Sequence, residues 1–172
     1  MNGPGTLDWA PAGPDLVAEP VAAALGGLTA FAASIDPDLA DTAEFCARYG
    51  VELADSANCV IIAGRRGEVT RYAACVVLAT TRADVNGVVR KRLDARKASF
   101  AAMDDAVALT GMEYGGITPI GLPPDWPVLI DAAVLTRSSV VIGSGLRRSK
   151  IALAPDVLAG LPGAEVIEGL AG

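Results

Sequence analysis

Two apolar runs divided by a short polar step dominate the middle of the chain. Cys59-Val60-Ile61-Ile62-Ala63 is followed by Gly64-Arg65-Arg66-Gly67 and then by the β-prone stretch Val69 to Thr80. Short continuous apolar runs on either side of a glycine-bearing step predict a hairpin. Apolar residues at nearly every position place both strands in the interior of a sheet covered on two faces. The period then changes. From Asp84 to Leu93, Val85, Val88, Val89 and Leu93 recur at helical spacing with Arg90, Lys91 and Arg92 on the other side, which predicts an amphipathic helix. Ahead of the hairpin, Asp41-Thr42-Ala43-Glu44 carries an N-cap with Glu three residues on, and Gly50 follows Phe45, Cys46 and Tyr49 as a C-terminal stop. A shorter helix from Pro20 to Leu25 ends at Gly26-Gly27, and another begins at Asp104 or Asp105 and ends at Thr110-Gly111. Pro127 to Val134 and Val140 to Ile142 read as strands, joined through Gly143-Ser144-Gly145 to Ser149–Leu153, and Pro155 opens a last short helix.

Length and composition narrow this to one domain. At 172 residues, 52% hydrophobic but only 5% aromatic, the chain fills its interior with Ala, Val, Leu and Ile, as suits a single α/β domain of the α+β type over residues 15–172. Residues 1–14, rich in Gly and Pro, have little to bury and are expected to form a flexible arm. The most apolar window, Leu16 to Ile35, is broken by Glu19, Pro20 and Gly26-Gly27, so no membrane span is expected. No basic segment followed by an apolar one opens the chain, and a cytoplasmic location is expected.

Histidine is absent, which removes Ser-His-Asp and Cys-His catalysis and imidazole metal ligation. Cys46, Cys59 and Cys75 form no CxxC pair, so neither a disulfide framework nor a zinc site is suggested, and no metal or cofactor is expected. Cys59 and Cys75, on apolar strands, read as inert core thiols. The net charge of -6 argues against a general nucleic-acid coat or a DNA-binding role. Yet eight of the 14 basic residues fall in two stretches, Arg90, Lys91, Arg92, Arg96 and Lys97, then Arg147, Arg148 and Lys150, and leave room for a local basic face.

Three segments carry a more specific signal: Thr110-Gly111-Met112-Glu113-Tyr114-Gly115-Gly116-Ile117-Thr118-Pro119-Ile120-Gly121, Val128-Leu129-Ile130-Asp131, and Ile142-Gly143-Ser144-Gly145-Leu146-Arg147. In this order, after the hairpin and the basic helix, they resemble the YbaK/ProX family of aminoacyl-tRNA editing domains from about Thr42 to the C-terminus. The resemblance implies a mixed, mostly antiparallel sheet curled into a partial barrel among helices. It also implies a pocket for the aminoacylated 3′ end of tRNA, where the ester to the terminal adenosine is hydrolysed. Such an ester is already activated, so oriented water and fixed donors suffice, and glycines let a substrate approach main-chain N–H groups closely. On this basis Gly115, Gly116 and Asp131 are the catalytic candidates. Asn58, Thr118, Pro119, Gly143, Ser144 and Gly145 are candidates for substrate binding, and Arg90, Arg92, Lys97, Arg147 and Arg148 for tRNA contact on one face.

One position departs from the family. Its members commonly carry a lysine at the start of the first apolar strand, associated with substrate positioning and hydrolysis, and the register puts Ala57 there. Either Arg71, Lys97 or Lys150 brings a cation from elsewhere, or Asn58 supplies a neutral donor, or the protein does something other than rapid deacylation. The leading expectation is a deacylase acting in trans on a small mischarged amino acid. The alternatives are a non-catalytic binder of a small ligand or of aminoacyl-tRNA, and an interaction module of a synthetase or ribosome. Sequence specifies no oligomeric state.

Overall fold

The structure is a computed structural model that describes residues 3–172. In chain order its elements are β1 (Ala10–Pro11), α1 (Glu19–Ala24), β2 (Ala30–Ser34), α2 (Thr42–Tyr49), β3 (Ala57–Arg66), β4 (Val69–Leu78), α3 (Arg90–Arg92), β5 (Lys97–Phe100), α4 (Met103–Thr110), β6 (Val128–Asp131), β7 (Val140–Gly143), β8 (Ser149–Leu153), α5 (Pro155–Ala159) and β9 (Ala164–Ile167). The strands form a four-stranded sheet in the order β1-β2-β8-β7 and a five-stranded sheet in the order β5-β3-β4-β6-β9. Pairing is antiparallel except at β4–β6 and β6–β9. This is the expected mixed and mostly antiparallel α/β domain. Its two sheets are not closed into a barrel; they touch at a parallel bridge between Ser56 and Val141.

The hairpin is central, as the apolar pattern predicts, with Ile61–Ala63 and Ala73–Leu78 buried. Its turn lies further along than expected. Arg66 pairs with Val69, so Gly67-Glu68 is the whole loop, and Gly67 at φ +60° supplies the positive angle that the first central position of a type II′ turn requires. α2 ends as predicted: Gly50 is left-handed and its N–H donates to the Cys46 carbonyl at 3.0 Å. Asp41 holds the N-cap position without a capping hydrogen bond; its carboxylate lies 3.7 Å from the Arg147 guanidinium instead. The Asp84–Leu93 helix begins as a widened π turn over Val85–Val89, because the Asp84 carboxylate accepts from the N–H groups of Gly87 and Val88 at 3.0 and 3.3 Å.

Three strands, β1, β2 and β9, were not expected, and the predicted Pro127–Val134 strand is shorter: β6 stops at Asp131 and a 3-10 turn covers Ala132–Thr136. The opening segment is packed where it is described. Trp9 is buried with its indole N–H donating to the Pro4 carbonyl at 2.8 Å, Thr6 N–H donates to the Tyr49 carbonyl at 2.8 Å, and Ala10–Pro11 pairs with β2. The expectation of an arm with little to bury fails at that one indole. Met1 and Asn2 of the expected arm lie outside the described residues. Among the described residues no helix is long and apolar enough to cross a membrane.

Candidate functional site

The site grows from a mismatch of strand lengths. β5 pairs with β3 only from Ile62 to Arg65, and Ala101 N–H adds one bond to the Ile61 carbonyl. The first half of β3, Ala57 to Val60, therefore has β4 on one edge and no strand of its own sheet on the other. Because Ala79 N–H donates to the Ser56 carbonyl, the even-numbered residues of β3 turn their main-chain groups toward β4. Alternation then leaves the N–H of Cys59 on the uncovered edge. Here β3 parts from β7, and a cavity of ≈ 270 Å³ opens between the two sheets.

Several elements converge on it. β3 contributes Ala57, Asn58 and Cys59, and the start of α2 contributes Asp41 and Thr42. Thr42 Oγ1 donates to Asn58 Oδ1 at 2.7 Å, which fixes the amide and leaves its NH2 group for a ligand. β7 adds Ile142 and Gly143, the glycine loop adds Tyr114, Gly115 and Ile117, and β5 adds Phe100.

Lys150 reaches the same cavity from β8. Only 7% of its surface is exposed, yet it forms no ion pair among the described residues. Its Nζ donates to the Ala40 carbonyl at 2.9 Å and lies 5.1 Å from the centre of the Phe45 ring. An ammonium has three donors, so a single bond leaves two for a ligand. Burial lowers its pKa from 10.5 to about 8; Cys46 and Asp41 oppose that shift, and the Arg147 charge adds to it. Ala57 lines the same cavity with a small side chain. The cation that the sequence lacks at Ala57 is thus present in the same cavity on another strand.

Burial disfavours the thiolate at all three cysteines. Burial, with Cys75 nearby, raises the pKa of Cys59, which lines the cavity; burial pushes Cys75 up to about 12, and Cys46 is raised by burial as well. Among the described residues no three His, Cys, Asp or Glu side chains gather as a metal site.

The structure divides the expected site residues. Asn58, Gly115 and Gly143 line the cavity, whereas Gly116, Thr118, Pro119, Ser144, Gly145 and Asp131 do not. Gly116 is no free donor: its N–H is taken by the Glu113 carbonyl at 3.0 Å, and its own carbonyl accepts from Gly145 N–H at 2.6 Å. A Cβ at Gly116 would meet the Leu146 backbone at 2.6 to 2.9 Å, and one at Gly143 would meet the Ile117 carbonyl at 2.7 Å. These glycines bring two loops together. Asp131 is 3% exposed and accepts from Ala171 N–H at 3.3 Å, so its carboxylate fastens the C-terminal segment. Ser144 shares its hydroxyl with Ser149 at 2.7 Å and with Leu146 N–H at 3.2 Å. Thr118 is fully buried with its hydroxyl unpaired, and Pro119 is buried beside it.

The five expected RNA-contacting cations do not share one face. Arg90 and Lys97 join Arg65 and Arg96 around a second cleft beside β5. Arg92 is tied to Glu165 at 2.7 Å. Arg147 donates to the Tyr114 and Pro37 carbonyls at 3.3 and 3.1 Å, at the cavity rim, and Arg148 donates to the Asp15 carbonyl at 2.9 Å. Thr42, Phe100 and Tyr114 were not singled out from sequence, since neither a threonine in a first helical turn nor a lone aromatic on a short strand carries a signal of its own.

The profile of the aminoacyl-tRNA editing domain matches residues 36–161, and the chain belongs to that family, the YbaK/ProX family. The matched span contains every cavity-lining segment. Among solved structures the chain is similar to a proposed trans-editing enzyme for prolyl-tRNA synthetase, at 22% identity and a TM-score of 0.74, covering 87% of this chain and 93% of that one. It is similar also to the hypothetical protein APE2540, at 24% identity and a TM-score of 0.78 over 90% of this chain and 100% of that one. A scaffold protein used for computational epitope grafting matches at 23% identity and a TM-score of 0.75, over 88% and 95% of the two chains. These likenesses establish the fold.

Proposed function

We propose that the protein is a trans-acting deacylase that hydrolyses the ester between a small mischarged amino acid and the terminal adenosine of tRNA. The observation that carries this reading is the buried Lys150 ammonium in a cavity that also holds Asn58, Gly115 and Gly143. Membership in the editing-domain family supports the substrate class, and the likeness to a proposed trans-editing enzyme supports action in trans. A cavity of ≈ 270 Å³ suits a small aminoacyl group.

In the reaction a water oxygen attacks the ester carbonyl carbon, and negative charge gathers on the carbonyl oxygen. The bond to the ribose oxygen then breaks as that oxygen takes up the proton the water gives up, releasing the amino acid and a free hydroxyl on the tRNA. Lys150, the Asn58 NH2 group and the Cys59 N–H are the donors available to that oxygen, and fixed donors in a site that excludes water act most strongly on developing charge. No side-chain base of ordinary strength is needed, because the ester is activated. Arg90 and Lys97, with Arg65 and Arg96, offer a place for the RNA backbone, and Arg147 offers one at the rim. The competing reading, a non-catalytic binder, drew its force from the absence of a lysine at Ala57, and Lys150 weakens that argument.

The test is deacylation of a panel of tRNAs mischarged with different amino acids. Hydrolysis restricted to a small amino acid, reduced about 100-fold in Lys150→Met, is the expected result. No hydrolysis of any member would reject the reading.

A further inference from the structure

We propose that Phe100 and Tyr114 form a stacking clamp at the cavity mouth that holds the terminal adenine of the substrate RNA. The inference rests on the deacylase reading for its substrate, but its geometry is independent of the hydrolytic step.

Eight large apolar side chains are exposed among the described residues, and five of them, Phe100, Met103, Val107, Leu109 and Tyr114, fall between the end of β5 and the glycine loop. Scattered exposed apolar residues need no explanation; two exposed rings lining one cavity do. Phe100, 64% exposed, and Tyr114, 51% exposed, both line the cavity. They reach it from different elements, one from an edge strand and one from the loop, with α4 between them in sequence and its Ala106 in the cavity wall. This chain has only eight aromatic residues, two Trp, three Tyr and three Phe, so two at one opening are a concentrated resource.

Size and charge select the occupant. At ≈ 270 Å³ the cavity falls below the roughly 300–1,000 Å³ that encloses drug-sized ligands, so an aminoacyl ester fills it and the base must lie outside, against the rim. The cationic cleft of Arg65, Arg90, Arg96 and Lys97 lies along the same strand as Phe100. Lys97 and Phe100 are three residues apart, about 10 Å of strand, and alternation turns their side chains to opposite faces, so the cleft meets the rim around the open edge of β5. Exposed rings beside a positive groove are the combination that single-stranded nucleic acid sites use, with each stacked base contributing roughly 1–3 kcal/mol. A protein partner would exploit the apolar rim but has no use for the adjoining cations unless it is acidic.

The experiment compares two substrates carrying the same amino acid, a mischarged tRNA and the simple methyl ester, with Phe100→Ala, Tyr114→Ala, Phe100→Trp and Tyr114→Phe. A parallel NMR titration uses an unacylated CCA trinucleotide with the full chain. The clamp predicts that each alanine variant loses about tenfold more kcat/KM on the tRNA than on the ester, mainly through KM, and that the aromatic replacements restore the ratio. It also predicts upfield ring-current shifts of the adenine protons that vanish in the alanine variants. Equal losses on both substrates, or none, would overturn it, as would a concentration-dependent dimer abolished by Phe100→Ala. Adenine shifts without hydrolysis of either substrate would keep the clamp and reject the deacylase; hydrolysis with trinucleotide binding indifferent to both rings would do the reverse.

Discussion

The two halves of β3 are one strand with opposite duties. From Ile61 to Ala63 it is buried and bonded on both edges, with β4 on one side and β5 on the other. From Ala57 to Val60 it keeps β4 but has lost β5, and the cavity occupies that place. The covered half holds the geometry fixed. In the uncovered half the same rigidity fixes Asn58 and the Cys59 N–H at the edge of the cavity. A site built this way needs no flexible lid to be exact, because its donors are part of a ten-residue hairpin strand.

The largest effect is expected from separating the loops that close the uncovered half. Gly116→Val places atoms where the Leu146 backbone already lies. It should destabilise the fold by about 3 kcal/mol, read by thermal or denaturant unfolding, with loss of ligand binding as a consequence. A variant with unchanged stability would show that the two loops are not held together as described.

Lys150→Met comes next, and it should separate function from stability. The ammonium is buried without an ion pair, so removing it relieves a desolvation cost while deacylation falls about 100-fold. The pH dependence has a definite sign. The folded pKa, about 8, lies below the ordinary 10.5, so the folded state binds fewer protons between those values. The cost of burying the charge is fully present below pH 8 and is relieved as pH rises toward 10.5. Unfolding measured against pH should therefore show the stability advantage of Lys150→Met shrinking across that window. The groups that set the value are Cys46 and Asp41, which favour the charged form, and Arg147, which opposes it.

Asp131→Ala acts outside the cavity lining. Its carboxylate fastens the C-terminal segment through Ala171 N–H, away from the cavity. The expected effect is a loss of about 1 kcal/mol in stability with little change in kcat. A large fall in kcat at unchanged stability would return this residue to the site. The smallest effect is expected from Lys97→Ala, which should weaken tRNA binding modestly and lower its salt dependence by about one unit of slope, without altering hydrolysis of a simple ester.

What the sequence made legible follows the same division. The hairpin, the α2 stop at Gly50 and the glycine motifs were readable because continuous apolar runs and special backbone angles leave marks in one chain segment. β2 was not, since Ala30-Phe31-Ala32-Ala33-Ser34 carries neither alternation nor β-branched residues and owes its extended form to pairing with β8. That Asp131 and Gly116 stand outside the cavity lining was not legible for a related reason: a motif names residues, while only the fold shows which of them face a cavity and which brace it. Lys150 stood among three candidate replacement cations. Its signal was a lysine inside Ser149–Leu153, a strand buried at every position, where a charge has no solvent to reach and must face a cavity or a partner.

In the proposed reaction the working cation is Lys150 of β8, in the cavity that Ala57 also lines. Deacylation of one mischarged tRNA by the unmodified protein, Lys150→Met and Lys150→Met/Ala57→Lys tests it most directly. A fall of about 100-fold is expected in the first variant, with recovery of most of the rate when the ammonium is restored from β3. Hydrolysis by Lys150→Met at the unmodified rate, with the fold intact, would contradict it.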